Sequence, residues 1–496
     1  MNFLKKFLLG STYAKKAKSK YNTLSKKLDY ITTQNNLEAI RNKKKINIIF
    51  VFYFRTSGMD SLIDLLNRDD SFNVTVLLIP FKTLTFNVYK NDKLHESQLE
   101  EYNDNYDYFK NKGFNTIKAY NENNNSLLDI ELELMPDIIF YMSPWEGILP
   151  PEYRIHNLPQ NILYCYIPYS MYLSKLKNDQ FNRSLQKKAW KIFVQTPLHK
   201  QLAIKYSNNK GSNVLVTGYP KMDPLIENTE DTMPKIWKNQ DSDKIRIIWA
   251  PHYSIGTDKD VKLAFSTFEH NYKFFYDYAK NHPEIEWVFK PHPKLIYAGE
   301  RIPNNKNFKL ENLKEYYEKW NELPNATVYE RGDYLNVFKS SDAMITDSIS
   351  FLAEYLYADH PGLLLTRPEQ EFNEFGEIIK EGWYKVNGKD LNGIEKFIND
   401  VLIEGKDHLK SKRKDIYNSY LNRNGVSASQ TIYKYLKKTL TNENWDLIKL
   451  RQLANKYLTN NCLISNYLNN LLFDNMIISY SYLNNTFIKL EVILIF

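Results

Sequence analysis

"IRIIWAPHYSIG" (residues 245–256) and "IEWVFKPHPKL" (285–295) decide the fold. Each begins as an apolar run, reaches Pro-His and then breaks into small or polar residues. A continuous apolar run bounded by turn residues is the pattern of a strand buried on both faces, as in a parallel sheet. Proline ends the ladder because it has no N–H to donate. The residue after it is sent out of the sheet. In open parallel sheets, ligands sit beyond the carboxyl ends of the strands. The two strand ends therefore present His252 and His292 to one crevice.

The alternation continues on both sides. Upstream, "INIIFVFYF" (46–54), "VTVLLIP" (74–80), "TIKAY" (116–120), "DIIFYMSPW" (137–145), "NILYCYIPY" (161–169) and "NVLVTGYP" (213–220) read as strands. Helical patterns lie at 61–67 and 93–112, and a long helix is expected over 184–206. Residues 221–243 are polar, contain Pro224 and Pro234, and read as a linker. The pattern then restarts, with strands at 245–250, 285–290, 326–330, 343–347 and 362–366. Helices are expected at 266–281, 312–322, 333–340, 350–358 and about 389–421, and from Ser427 onward. Strand-helix alternation of this kind marks doubly wound α/β domains. The expected architecture is a basic leader (1–44), a Rossmann-like domain (45–220), a second Rossmann-like domain (244–441) facing it across a cleft, and a tail (442–496) of no assigned role.

With 496 residues the chain is too long for one ordinary core. The net charge of +8 is mild, and nothing in it suggests nucleic acid. Residues 5–27 hold several lysines and no acid, which reads either as a solvated helix or as a basic helix on an anionic membrane surface. Cys165 and Cys462 are the only cysteines, so there is neither a disulfide framework nor a CxxC metal pair. No stretch reaches the roughly 18 apolar residues of a membrane span, and "FLKKFLLG" (3–10) is too short and charged for a signal peptide. The expected location is cytoplasmic, at most peripheral on the inner face of the membrane.

The richest stretch is "SSDAMITDSISFLAEYLYADHPGLLL" (340–365). The strand "AMIT" runs into Asp347-Ser348-Ile349-Ser350, where a helix begins. Ser348 or Ser350 can cap that helix, and its first N–H groups favour an anion. Glu354, four residues after Ser350, lies on the same face and is a candidate for ribose hydroxyls. "FKPHPKL" adds Lys290, His292 and Lys294, and "WAPHYSIG" adds His252 and Ser254. Cations at a strand end beside a helix start suit a pyrophosphate. Plain helix capping is the structural alternative for Asp347 and the serines.

The ordered set "WAPHYSIG", "FKPHPKL" and "GDYLNVFKSSDAMITDSISFLAEYL" resembles the C-terminal half of the CDP-glycerol glycerophosphotransferase family, which builds teichoic acids and related capsule polymers. "NGVSASQTIYKYL" (424–436) resembles the closing helix of that family, and the similarity spans about 210–440. The resemblance implies a GT-B-like fold and a nucleotide donor held mainly by the second domain. It implies a pyrophosphate grip by His292-Pro293 and by Thr346-Asp347 with Ser350, with Glu354 as the acidic residue that follows. The N-terminal half departs from the family. Teichoic acid polymerases carry a Trp-His-Gly segment there, whose His is the general base. "ILYCYIPYSMYL" (162–173) has no His and resembles a capsule-associated branch with "PW" and "YIPY" segments.

The expected reaction is attack by an acceptor hydroxyl on the β-phosphate of CDP-glycerol, or on the anomeric carbon of a nucleotide sugar. Lys290, His292, Ser348 and Ser350 would stabilise the leaving phosphate. His252 is the first candidate base, followed by Glu146 and Asp60 on N-domain strand-end loops. No Asp-x-Asp pair sits at a strand end, so neither metal nor cofactor is expected. The expected partners are the activated donor and a lipid-linked or polysaccharide acceptor. The alternatives are a glycosyltransferase or epimerase of the same architecture, and a non-catalytic scaffold of a capsule assembly complex.

Overall fold

The computed structural model describes residues 12–54, 58–80, 96–227, 234–239, 243–256, 264–300, 308–330, 332, 334–441, 476–483 and 487–494. The chain divides into two compact units, Met1–Tyr435 and Leu436–Phe496.

The first unit holds two parallel sheets. Strands β1 (Ile46–Phe52), β2 (Phe72–Leu78), β3 (Thr116–Lys118), β4 (Ile138–Tyr141), β5 (Leu163–Tyr166), β6 (Lys191–Val194) and β7 (Val214–Val216) form one, in the order β3-β2-β1-β4-β5-β6-β7. Strands β8 (Ile245–Ala250), β9 (Ile285–Phe289), β10 (Ala326–Val328), β11 (Ala343–Thr346), β12 (Gly362–Thr366) and β13 (Tyr384–Asn387) form the other, in the order β10-β9-β8-β11-β12-β13. Both sheets thus run outward in one direction from their first strand and then reverse, which is the Rossmann order. The central strands are mostly apolar because helices cover both faces, with Arg246 in β8 and buried Glu286 in β9 as exceptions. Trp249 and Trp287 are fully buried, and Trp249 stacks on Phe275 (4.4 Å between ring centroids) and Phe289 (4.7 Å).

The helix expected over 184–206 is instead helix Ser184–Lys188, strand β6 and helix Pro197–Tyr206. Pro197 starts a new helix, and the Thr196 hydroxyl caps it by accepting the His199 N–H at 3.2 Å. The four-residue apolar run of β6 was too short to separate from a helix face by periodicity. The helix expected over 389–421 is interrupted between residues 404 and 409, where Gly405 takes φ +71°. The edge strand β13 was not expected. It alternates half-buried and exposed residues and lacks the apolar run of a central strand.

Residues 220–226, at the start of the expected linker, are helical turns that join the two sheets. Buried Asp223 accepts the Ser427 hydroxyl (2.9 Å) and the N–H groups of Ala428 and Ser429 (2.8 Å each), so it caps the helix Ala428–Leu440 from another segment. Asn373 adds a second tie. Its N–H donates to the Leu173 carbonyl and its side-chain amide to the Tyr172 carbonyl, each at 2.7 Å.

Helix α1 (Thr12–Arg41) is anchored at its C-terminal end, where Leu37 and Ile40 are buried. Lys43, just beyond, pairs with Asp137 at 2.6 Å. Leu24, Leu28 and Ile31, spaced on one helical face, stay exposed at 56, 62 and 54%. No described helix is long and apolar enough to cross a membrane. In the second unit, Met476–Leu483 and Phe487–Leu494 form an antiparallel hairpin within the stretch read as irregular.

Candidate active site

The order of the second sheet reverses between β8 and β11, so a crevice opens at the carboxyl ends of these two strands. The chain stitches the two ends together. The Thr346 hydroxyl donates to the Ala250 carbonyl (2.6 Å) and accepts the Ser348 N–H (2.9 Å). The Asp347 carboxylate accepts the His252 N–H (2.5 Å), the Thr267 hydroxyl (2.8 Å) and the Thr267 N–H. Burial raises the Asp347 carboxyl to about 6, and the hydrogen bonds it accepts oppose that rise. Both side chains are buried and spent on protein groups. In place of the expected pyrophosphate grip, they hold the two strand ends in register.

The two histidines share one local device. The N–H of the residue two further on donates to Nδ1 in each: Ser254 to His252 at 3.3 Å, and Lys294 to His292 at 3.1 Å. At His252 the Ser254 hydroxyl, 2.7 Å from Nδ1, adds to this. Its oxygen already accepts the N–H groups of Phe265 (3.0 Å) and Ser266 (3.3 Å), so its proton goes to Nδ1. A neutral ring whose Nδ1 accepts carries its proton on Nε2. His252 and His292 are thereby set as Nε2–H donors. Their ring centroids lie 5.3 Å apart, and Tyr253 packs against both at 4.4 and 4.5 Å. A base needs an accepting nitrogen, and this arrangement does not give His252 one.

Beyond β9, Lys290 is buried, and its ammonium lies over the rings of Tyr329 (4.7 Å) and Tyr334 (5.2 Å). Burial, and secondarily the charge of Lys221, depress it to about 7, while Glu354 acts in the opposite direction. Glu354 is fully buried. It accepts the Tyr334 hydroxyl at 2.5 Å and the Tyr219 hydroxyl at 3.2 Å, and Lys221 lies 3.4 Å away. Its carboxylate, read from the sequence as a ribose ligand, is occupied by side chains of the protein itself. Ser348 and Ser350 do lie at the start of helix Ile349–Glu354, and the Ser348 hydroxyl makes no capping bond there. Lys294 reaches the Tyr253 ring at 5.7 Å.

The first sheet also reverses its order, between β1 and β4. Asp60 follows β1, and Glu146 follows β4. Asp60 is committed to an ion pair with Lys112 and also accepts the Tyr108 hydroxyl at 3.3 Å. The Glu146 Oε1 is buried without a hydrogen bond and lies 3.5 Å from His156 Nδ1. Trp145 Nε1 donates to the Tyr169 hydroxyl at 3.4 Å, and the Arg183 guanidinium lies 4.4 Å over the Trp145 ring. The Tyr219 hydroxyl, after β7, donates to the Tyr169 carbonyl (2.5 Å) and lies 3.2 Å from Glu354 on the second sheet's side, so the two strand-end surfaces meet here.

Sequence reasoning missed Lys221, Tyr219, Tyr334 and Thr267. A signal for the first two was present. "VTGYPKM" (216–222) is another strand end that runs into proline and a cation, as at the two Pro-His sites. Gly218 there takes φ +92°. A Cβ on Gly58 (φ +66°) would stand 2.5 Å from the Lys221 Cβ, so that glycine lets the lysine pass.

Two Rossmann-ordered sheets whose strand ends meet at one site define the GT-B class. UDP-GlcNAc 2-epimerase from Neisseria meningitidis bound to UDP-GlcNAc shares this fold, with 17% identity over 79% of this chain and 100% of that chain and a TM-score of 0.51. So does the wall teichoic acid polymerase TagF, with 14% identity over 86% of this chain and 97% of that chain and a TM-score of 0.52. No curated protein matches the sequence. Within the class, residues 169–378 match the family CDP-Glycerol:Poly(glycerophosphate) glycerophosphotransferase. That segment contains the Pro-His strand ends and the Thr-Asp helix start on which the resemblance rested.

Proposed function

We propose that the protein transfers glycerol phosphate from CDP-glycerol, or a closely related CDP-activated donor, to a polysaccharide or lipid-linked acceptor in the synthesis of a teichoic-acid-type or capsule polymer. The observation that carries this reading is the pair of imidazoles at adjacent strand ends, ring centroids 5.3 Å apart and each accepting a backbone N–H at Nδ1, beside buried Lys290. Such donors suit the oxygens of a pyrophosphate. Lys294, Ser348 and Ser350 complete the same face. The acceptor hydroxyl attacks the β-phosphorus, a new P–O bond forms, and the bond to the bridging oxygen breaks. CMP leaves with the electron pair. Phosphoryl transfer of this kind passes through a loose transition state, so stabilising charge on the leaving phosphate matters more than early deprotonation. Glu146, whose Oε1 has no hydrogen bond, is then the carboxylate to collect the proton. The test is release of CMP from CDP-glycerol with growth of a labelled polymer. A donor altered with no acceptor present would instead support an epimerase, and a folded protein that binds no nucleotide would support a scaffold.

Helix α1 supplies the second part of the proposal. No acid occurs before Asp29, and the exposed row Leu24, Leu28 and Ile31 offers an apolar edge beside many lysines. That combination suits an anionic membrane surface, where a lipid-linked acceptor would be met.

A further inference from the structure

Among the described residues, the group around Lys290 holds two lysines, Lys290 and Lys221, and one buried carboxylate, Glu354. From the strand end of Lys290 itself, His292 follows two residues on. From the segment after β10, the Tyr329 carbonyl accepts a hydrogen bond from the Lys290 ammonium at 3.4 Å. Tyr334, before the helix Leu335–Lys339, contributes a ring 5.2 Å away. From the helix Ile349–Glu354 comes Glu354, and from the segment after β7 come Lys221 and Tyr219, both of which contact Glu354 rather than Lys290. Two lysines thus face one carboxylate, and that carboxylate is engaged by Lys221 and two tyrosines. A buried ammonium without its own counter-charge is costly, and the cheaper state is the neutral amine. An arriving dianionic pyrophosphate would reverse that preference.

We propose that Lys290 meets the donor as a neutral amine and takes up a proton as the donor's phosphates arrive, so that donor binding is linked to pH through this buried lysine pair. The inference rests on the reading that the β9 end receives the donor's phosphates. Its sign follows from linkage. In the free protein burial depresses Lys290 to about 7, and a bound anion moves that value upward. Below pH ~6 the lysine is already charged and binding needs no proton. Above neutrality, binding takes up about one proton, and Kd rises about tenfold per pH unit until the bound-state value is reached. CDP-glycerol has only diester phosphates, which hold no proton to exchange in this range.

The experiment has two arms on the full chain. Carbon NMR of protein labelled at the lysine ε-carbon, with Lys290→Arg assigning the signal, follows Lys290 without donor. A midpoint near 7 is expected, and one above about 9, towards the ordinary lysine range, overturns the inference. Calorimetry with CDP-glycerol at pH 8, in HEPES and in Tris, counts the protons taken up. About one is expected for the wild type. Lys290→Arg should bind without that uptake, and Lys221→Met, which removes the repelling charge, should reduce it. Uptake unchanged in Lys290→Arg overturns the inference, as does no uptake in the wild type. If CDP-glycerol does not bind even at pH 6 while the NMR midpoint stays near 7, the donor assignment fails, and with it the linkage to this donor.

Discussion

His252 separates two mechanisms, and its hydrogen bonds predict which one holds. Its Nδ1 takes the Ser254 hydroxyl at 2.7 Å and the Ser254 N–H at 3.3 Å, so the neutral ring offers Nε2–H. If that N–H meets a donor phosphate oxygen, His252→Ala removes one hydrogen bond to a charged group, about 1.5–3 kcal/mol. At 1.4 kcal/mol per decade, Kd for the donor should rise about 10- to 150-fold. The alanine also opens a void beside Tyr253 and Phe265, whose ring centroids lie 4.4 and 5.9 Å from that of His252. His252→Gln is therefore the cleaner variant. It fills the space, its carbonyl can accept the Ser254 N–H, and its amide can still donate to phosphate.

The donor role predicts that glutamine recovers most of the affinity that alanine loses, with turnover recovering alongside. A general base predicts the opposite pattern: kcat falls about 10²–10⁴-fold in both variants while Kd stays within a few-fold. Calorimetry with CDP-glycerol and steady-state CMP release, measured on all three proteins, read the two patterns apart. Donor affinity untouched in His252→Ala, with turnover abolished in both variants, would refute the assignment of the proton to Nε2.

Other outcomes follow from the same contacts. Ser254→Ala leaves the buried N–H groups of Phe265 and Ser266 without their acceptor and should cost about 2–4 kcal/mol in urea unfolding; a loss below ~0.5 kcal/mol would show that the loop re-pairs them. His199 lies between the rings of Tyr172 and Phe375, and burial lowers it to about 3. Its unfolded value is the higher one, so its contribution is intact above pH ~6.5 and lost as pH falls below that, by about 2 kcal/mol at pH 5. His199→Gln should flatten this part of the stability–pH curve, and a curve parallel to the wild type would dismiss it. Replacing Leu24 and Leu28 with glutamate should abolish sedimentation with anionic vesicles, and wild-type binding should weaken steeply with salt; equal binding by the variant would remove helix α1 from the membrane.

The fold was legible wherever one strand filled one apolar run. The strands β1, β8, β9, β11 and β12 are buried on both faces, and such runs admit few other readings. It was illegible where length or edge position removed that signal. Four-residue β6 merged with its flanking helices, and β13 lies at a sheet edge, where one face is wet. The turns at 220–226 were read as linker because they are polar. Their polar groups are spent inside the protein, with Asp223 capping a helix some two hundred residues away in sequence.

At the candidate site, the sequence grouped two kinds of polar residue that the structure separates. His252, His292, Thr346, Asp347 and Glu354 all follow or flank strand ends, and sequence treats them alike. What distinguishes them is the number of protein donors within reach. Asp347 meets three, from His252 and Thr267, and becomes a stitch. Glu354 meets two tyrosines and a lysine and becomes the anion of a buried cluster. Each histidine accepts the N–H of the residue two positions on at Nδ1, which turns Nε2 into the donor. That last pattern is local. Pro-His followed two residues later by a residue with a backbone N–H is readable in a sequence, and it specifies the tautomer as well as the position. Repeated at neighbouring parallel strands, it builds an anion site from two short segments that pair only when β8 and β9 align. If the proposed donor site is right, donor recognition is coupled to strand register, and a change that shifts β8 against β9 should remove it without touching either imidazole.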